Sequence, residues 1–295
     1  MIELRPCRDD DDLEAWRRVR IAVVPNERTD SVEELRRSAS PERLLLLAYV
    51  DGELAGSGVA GRGDTGSGYA IPRVLPEHRR RGVGTALLHA LAAHVEGLGL
   101  PDISVGANDE EALSFAHRFG FAEIGRQIEQ VRAVDADEPW PGAPDGVDIV
   151  SLGSRPELSS RTYHELALQA FADIPTPRPI QVSEEDWQRG WVGWPEGSFV
   201  ALAGDELVGC AGLIRDDDRT DRAENTLTAV RRDWRGRGVA RALKESVIAW
   251  ASENGIRELC TWTQEGNDDM RAVNVLLGYV PREISISLRR PLPLQ

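Results

Sequence analysis

Two hexamers in this 295-residue sequence set arginines beside glycines: Arg79-Arg80-Arg81-Gly82-Val83-Gly84 and Arg235-Gly236-Arg237-Gly238-Val239-Ala240. Arginine offers a rigid fork of donors matched to phosphate oxygens, and glycine lets the backbone come close to an anion. Where such a turn opens a helix, the first N–H groups lack intrahelical partners and converge on one spot, together with the positive end of the helix dipole. The chemistry favoured there is binding of a phosphate or diphosphate. Arg81, Gly82, Val83, Gly84 and Thr85 would form one cradle; Gly236, Arg237, Gly238, Val239 and Ala240 would form the other. Neither is a Walker loop, because no GK[ST] ends it, and no GxGxxG lies between strand and helix.

The elements that must hold these cradles are written twice. ELAG at 53 recurs as ELVG at 206, RRRGVGTALL at 79 as RGRGVARALK at 235, GLPDISV at 99 as GIRELCT at 255, and GF at 120 as GY at 278. The offset is roughly 155 residues at each landmark, the mark of an internal duplication. In each half a first strand (IELR, VDIV) leads to helical material. Two apolar strands joined by DG or GD follow and read as a β-hairpin. Then come a strand, the Arg/Gly loop, an amphipathic helix, another strand, another helix and a closing strand. The fold class is α/β with a mixed sheet, in two tandem domains: 1–134, a Pro- and Gly-rich linker at 135–146, and 147–295.

In this context the spacing [Q/R]-x-x-G-x-[G/A] resembles the acyl-CoA diphosphate loop of the GNAT superfamily of N-acetyltransferases. The resemblance covers nearly the whole chain. In each half the hexamer follows a strand and precedes a helix, and a strand and a second Asn-containing helix ending in Gly-[Phe/Tyr] come after it. It implies two tandem GNAT domains, acetyl-CoA as co-substrate, no metal, and direct transfer of the acetyl group to a primary amine of a small molecule. It also implies that Val74, Arg79 and Asn108 in the first half, and Val230, Arg235 and Asn267 in the second, contribute to holding the coenzyme. Backbone N–H groups near Val74 and Val230 are candidate oxyanion donors. The tyrosine that often protonates the thiolate in this family falls at Ala116 and Asn274, so Asn274 stands as a candidate donor to sulfur and the usual acid is missing twice. A D-x-P segment at 173 is similar to the tandem GNAT group of mycothiol synthase-like proteins, in which the C-terminal half is the working one.

Acceptor chemistry is sought in that half. Period-two alternation in ENTLTAV puts Glu224, Thr226 and Thr228 on one face. Glu224 either orders a water that takes the amine proton or is a strand-end charge, and GYAIPRV in the first half has Gly68 in its place and Pro72 in mid-strand. Asp173 is a second carboxylate candidate for a cationic acceptor. Trp187, Trp191 and Trp194, at i, i+4 and i+7, form either core or an aromatic wall. A chain that binds acyl-CoA without turnover, as a regulatory or structural module, is the alternative reading.

Composition narrows the partners. A net charge of −14 disfavours nucleic acid and is compatible with a cationic small molecule. Cys7, Cys210 and Cys260 lack metal-ligand spacing and read as reduced thiols. The start of the sequence lacks the apolar core of a secretion signal, and no apolar run approaches the ~18 residues of a membrane span. These features predict a cytoplasmic monomer or homodimer that engages no membrane.

Overall fold

The computed structural model describes residues 1–294 except Pro175 and Pro177. The chain forms two compact units, the first built from residues 1–125 with the chain from 285 onward, the second from residues 126–284. In chain order the first half contains β1 (Ile2–Pro6), α1 (Asp10–Val23), α2 (Val32–Arg37), β2 (Leu44–Val50), β3 (Glu53–Arg62), β4 (Gly68–Val74), α3 (Val83–Gly97), β5 (Asp102–Ala107), α4 (Glu110–Arg118) and β6 (Ala122–Ala133). The second half repeats the plan with β7 (Asp148–Ser151), α5 (Leu158–Thr162), α6 (Leu168–Asp173), α7 (Glu184–Gly190), β8 (Phe199–Ala203), β9 (Glu206–Arg215), β10 (Arg222–Val230), α8 (Val239–Glu253), β11 (Glu258–Gln264), α9 (Asp268–Leu276) and β12 (Val280–Pro291). A π-helical turn at Tyr163–Ala167 joins α5 to α6 without a break.

Both units have a mixed sheet in which one central pair is parallel and the rest antiparallel. In the first unit the order is β1, β2, β3, β4, β5, β12, with β4 and β5 parallel. In the second it is β7, β8, β9, β10, β11, β6, with β10 and β11 parallel. The β2–β3 turn is set by Asp51 and Gly52, at φ +52° and +88°, the two positive values that match a hairpin's right-handed twist. Each sheet buries both faces. In the second unit, Leu243, Val247 and Ala251 of α8 recur at helical spacing over one face, and Leu166, Phe171 and Trp187 from α5–α7 cover the other.

The closing strands depart from a linear division of the chain. From residue 126 on, β6 pairs with β11, running from Gln127↔Gln264 to Ala133↔Glu258. Near the other end of the chain β12 pairs with β5, running from Ile286↔Ala107 to Pro291↔Asp102. Each sheet is therefore completed by the strand that the sequence reading gave to the other half. The physical reason in the second unit is a buried charge network. Glu129 of β6, fully buried, accepts from Arg222 of β10 at 2.9 Å and from Arg282 of β12 at 2.7 Å. Glu258 of β11 joins through Arg282 at 3.0 Å, and Asp216 joins through Arg222 at 3.3 Å. The residue at the corresponding place in β12 is Ser287, which brings no charge to such a network.

The Pro-rich stretch expected as a linker is a strap packed on α8. Ser252 Oγ donates to the Asp135 carbonyl at 2.6 Å, Glu138 N donates to Ser252 Oγ at 3.3 Å, and Trp140 Nε1 donates to Glu253 at 2.7 Å. All three cysteines are free thiols. Among the described residues no helix is long and apolar enough to cross a membrane.

Removing Glu129 takes from Arg222 and Arg282 the buried carboxylate they share, so Glu129→Ala should lower unfolding free energy by about 3–5 kcal/mol, whereas an exposed control such as Glu185→Ala should change it by less than about 0.5 kcal/mol. Urea denaturation followed by tryptophan fluorescence measures both.

Candidate functional site

The two Arg/Gly hexamers fold alike. After the strand, a single 3-10 turn (Pro76–His78 or Arg232–Trp234) leads to two left-handed residues and then a helix. In the second unit these are Gly236 and Gly238, at φ +73° and +81°. In the first they are Arg80 and Gly82, at +60° and +85°. Beyond its chain neighbours, a Cβ added at Gly236 or Gly238 would meet no described atom within 4 Å, so the turn presents open backbone. The helices α1, α2, α4, α7 and α9 each have a polar side-chain cap and acidic residues in their first turn. Among the described residues α3 and α8 have neither, as is also true of the short α5 and α6, but only α3 and α8 follow an arginine turn. The first-turn amides of Val83, Gly84 and Thr85, and of Val239 and Ala240, lie at the starts of α3 and α8, a setting that suits an anion.

The arginines divide by role. Arg79 and Arg235 each turn back on the strand they follow, Nε donating to the carbonyls of Val74 at 3.5 Å and Val230 at 3.1 Å. They hold the turn shut and engage carboxylates, Glu111 at 2.9 Å and Asp173 at 2.6 Å. Asp173 also pairs with Arg232, and the two guanidinium groups pull its carboxyl pKa down to about 2. That carboxylate is therefore spent on the arginine turn rather than set out toward an acceptor. Arg237 stacks 4.6 Å over the Trp234 ring, and Arg81 reaches His78 Nδ1 at 3.3 Å and Asp51 at 3.4 Å.

The strands leading into the two turns differ. β4 runs beside β3 in unbroken register from Gly68↔Arg62 to Val74↔Gly56. β10 slips against β9 between Asn225, opposite Leu213, and Thr228, opposite Ala211. This β-bulge makes two successive side chains share a side. Ala223 packs in the α8 layer, whereas Leu227 and Ala229 pack in the α5–α7 layer. Thr226 also faces the α5–α7 side, its hydroxyl donating to the Trp191 carbonyl. The single face expected for Glu224, Thr226 and Thr228 is thus broken: Thr228 lies on the α8 side, and its buried Oγ1 has no hydrogen-bond partner among the described residues. Glu224 stays with Thr226, since Ala223 and Asn225 on either side of it face α8.

Parallel pairing of β10 with β11 stops at Glu224↔Cys260, and that of β4 with β5 stops at Tyr69↔Ser104. Beyond these points the strands separate toward the arginine turns. Arg231 N donates to the Val208 carbonyl and Leu75 N to the Ala55 carbonyl. Because amides alternate in direction along an antiparallel ladder, the N–H groups of Val230 and Val74 point the other way, into the gap.

Other expected residues occupy structural positions. Asn274 is fully buried, and its amide donates to Gln130 at 2.9 Å and to Thr263 at 3.2 Å, which commits both protons that a sulfur would need. Asn267 caps α9 by accepting from Met270 N at 3.4 Å; its counterpart by position is Asp109, which caps α4, so Asn108 is displaced by one residue from the matching place. The tryptophan series is not one helical stripe, because α7 ends at Gly190. Trp187 is core beside Phe171, Trp191 flanks the same layer, and Trp194 meets Trp250 edge-to-face at 4.8 Å.

Lys244, the one lysine in the chain, is not among the residues that the sequence motifs point to. It is 1% exposed, on the inner side of α8, its amine donating to Asn225 Oδ1 and lying 5.1 Å from the Tyr279 ring centre. Burial pulls its pKa down to about 7. Its only signal in the sequence was its rarity.

Comparison with known proteins agrees with this geometry. Residues 11–121 and 160–279 each match the Acetyltransferase (GNAT) family. A mycothiol acetyltransferase of Catenulispora acidiphila is 28% identical over 72% of this chain and 69% of its own, and one from Geodermatophilus obscurus is 26% identical over 84% and 82%. Among solved structures, a GCN5-related N-acetyltransferase from Sphaerobacter thermophilus superposes with a TM-score of 0.78 at 21% identity, covering 98% of this chain and 95% of that one. A tandem GNAT protein from the clavulanic acid biosynthesis pathway gives 0.74 at 18% identity over the full length of both. With two capless helices behind arginine turns, two like sheets and a family match over most of its length, this chain belongs to the GNAT acetyltransferase family.

Proposed function

We propose that the protein transfers the acetyl group of acetyl-CoA to a primary amine of a small molecule, and that the second unit does the work. The observation that carries the choice of unit is the bulge in β10, against the unbroken β3–β4 ladder of the first unit. A bulge re-aims backbone groups at one point in a strand, which is what a reacting carbonyl needs and an uninterrupted ladder does not provide.

On this reading the amides from Gly236 to Ala240 and the side chain of Arg237 hold the diphosphate, as the open Cβ positions of Gly236 and Gly238 allow. Acetyl-CoA supplies the activated thioester. The gap between β10 and β11 takes the rest of the coenzyme, with the Val230 N–H and the unpartnered Thr228 hydroxyl facing it. The acceptor enters from the α5–α7 side, where Glu224 and Thr226 lie and where a π-helical turn interrupts the helix, a feature frequent at functional sites. An alkyl amine titrates near ~10 and must shed a proton to attack, and Glu224 is the carboxylate on that face suited to take it through water. The names of the relatives put mycothiol-related amines at the head of the acceptor panel. Three free thiols suit a reducing cytoplasm.

The first unit supports a second role. Its β4 has Pro72 opposite Gly58, and the α1 side of that strand is filled by buried Arg73, which pairs with Glu27 at 3.1 Å and lies 5.8 Å from Trp16. That filling favours a unit that binds coenzyme at Gly82–Thr85 without turnover.

Coenzyme release with an amine panel should fall by about tenfold or more in kcat/KM for Gly238→Trp and by less than about twofold for Gly82→Trp. Equal losses would overturn the assignment to the second unit, and failure of every amine to yield an acetylated product by mass spectrometry would overturn the reaction. Asp173 is charged at any working pH and adds negative charge beside the diphosphate site. Asp173→Asn should therefore tighten coenzyme A binding by about threefold at low salt, with the gain shrinking at 0.5 M NaCl as screening removes it. Titration calorimetry at the two salt concentrations measures this.

A further inference from the structure

We propose that Lys244 is the proton donor to the leaving sulfur, acting from the closed end of the gap between β10 and β11. The inference deepens the acetyl transfer proposed above and rests on it. Its basis is where the amine lies. Asn225, which accepts from Lys244, is the residue after the last β10–β11 pair and the first residue of the bulge. The amine therefore sits where the two strands part, on the side of the sheet covered by α8, the helix whose N-terminus forms the anion cradle. An arm held at that cradle and running back along the gap ends at this point.

The lining there is polar and incompletely satisfied. Asn225 itself is fully buried and fixed by its amide donating to the Gly212 carbonyl at 2.8 Å, so it holds the lysine in place rather than neutralising it. The buried oxygens Thr228 Oγ1, Asn274 Oδ1 and Tyr279 Oη have no hydrogen-bond partner among the described residues. Buried polar atoms without partners are costly, and a group that arrives with its own donors and acceptors relieves that cost. Asn274 has committed its protons to Gln130 and Thr263, and burial raises the pKa of the Tyr279 phenol and makes it the weaker acid, which leaves the Lys244 ammonium as the group at this end best suited to give a proton.

The charges around the amine permit a neutral form. Tyr279 faces it with its phenol held protonated by burial, and Cys260 of β11, paired with Glu224, is also held protonated by burial. On β10 Glu224 lies on the opposite face and Arg222 is bound to Glu129. On α8 Glu245 accepts from Arg241 at 2.7 Å, on β6 Arg132 pairs with Glu138 at 2.7 Å, and α9 presents the neutral Asn274. Desolvation is what depresses the lysine pKa, to about 7, so ammonium and amine interconvert near neutrality.

The step balances. As the C–N bond to the acceptor forms and the C–S bond breaks, Lys244 passes one ammonium proton to sulfur and becomes a neutral amine. The acceptor nitrogen loses its proton to water, and Lys244 takes one back from solvent when products leave. Since the donor must be protonated, kcat should fall as pH rises through about 7.

Lys244 is the only lysine, so metabolic labelling with 13C,15N-lysine gives one side-chain signal in the intact protein. Its Cε and Nζ shifts should titrate near neutrality. Coenzyme A should move both that signal and the backbone amides of residues 236–240, whereas desulfo-coenzyme A should move the amides and leave the lysine unchanged. Amide shifts without a lysine response, or an equal lysine response to the two ligands, would overturn the donor role while leaving the acetyl-transfer reading intact. No shift of either kind would remove both. Lys244→Met should lower kcat by about 100-fold with KM for acetyl-CoA within about threefold, and should abolish the alkaline fall in kcat; an unchanged pH profile would overturn the proposal.

Discussion

Thr226 and Leu227 stand on the same side of one strand, and most of what distinguishes the second unit follows from that. A strand in regular register presents alternate residues to each layer and spends its amides on its neighbours. Slipping by one residue after Asn225 ends that economy at a single place. Before the slip Asn225 reaches across to α8; after it Leu227 and Ala229 belong to the opposite layer, and Thr228 takes over the α8 side. The parallel pairing with β11 ends one residue earlier, so the bulge lies at the mouth of a gap instead of being buried in a ladder.

Electrostatics work locally in this protein and against its average. The chain is strongly acidic, yet the two arginine turns lie at helix ends that have no acid in their first turn. Much of the arginine charge is already engaged: Arg79 and Arg235 close the turns on their own strands, and Arg232 and Arg235 share Asp173. In the anion site proposed above, backbone amides thus carry more of the binding than the density of arginines suggests. The same separation of roles appears in the interior, where Arg222, Arg282, Glu129 and Glu258 neutralise one another and fix the exchanged strand, while Lys244 lies on the other side of the pattern with an amide oxygen as partner.

Duplication explains the likeness of the two units, and substitutions along one strand explain their divergence. Gly68, which the sequence sets against Glu224, pairs with Ile103 as Ala223 pairs with Leu259, so Tyr69 stands where Glu224 does; a Cβ added at Gly68 would lie 2.1 Å from Val95, so that strand lies hard against its helix. Arg73 and Trp16 then fill the other side. The turn has been kept in both units, with Arg80 held in a left-handed conformation where the second unit uses glycine.

The sequence by itself determined the doubled plan, the mixed sheets, the hairpins and the helix-opening turns, because these rest on local periodicity, on glycine and proline and on residues a few positions apart. It determined the turns proposed as anion cradles for the same reason, since the donors there are consecutive amides. Only the tertiary structure decided which side of β10 each threonine faces, because a one-residue slip is set by pairing with β9 and inverts all that follows. The fate of Asn274 and Asp173 was likewise decided by partners up to 144 residues distant, and the exchange of closing strands by a carboxylate meeting arginines from another part of the chain. Lys244 could be counted in the sequence, but its chemistry comes from burial, and burial is a property of neighbours that no short stretch of sequence contains.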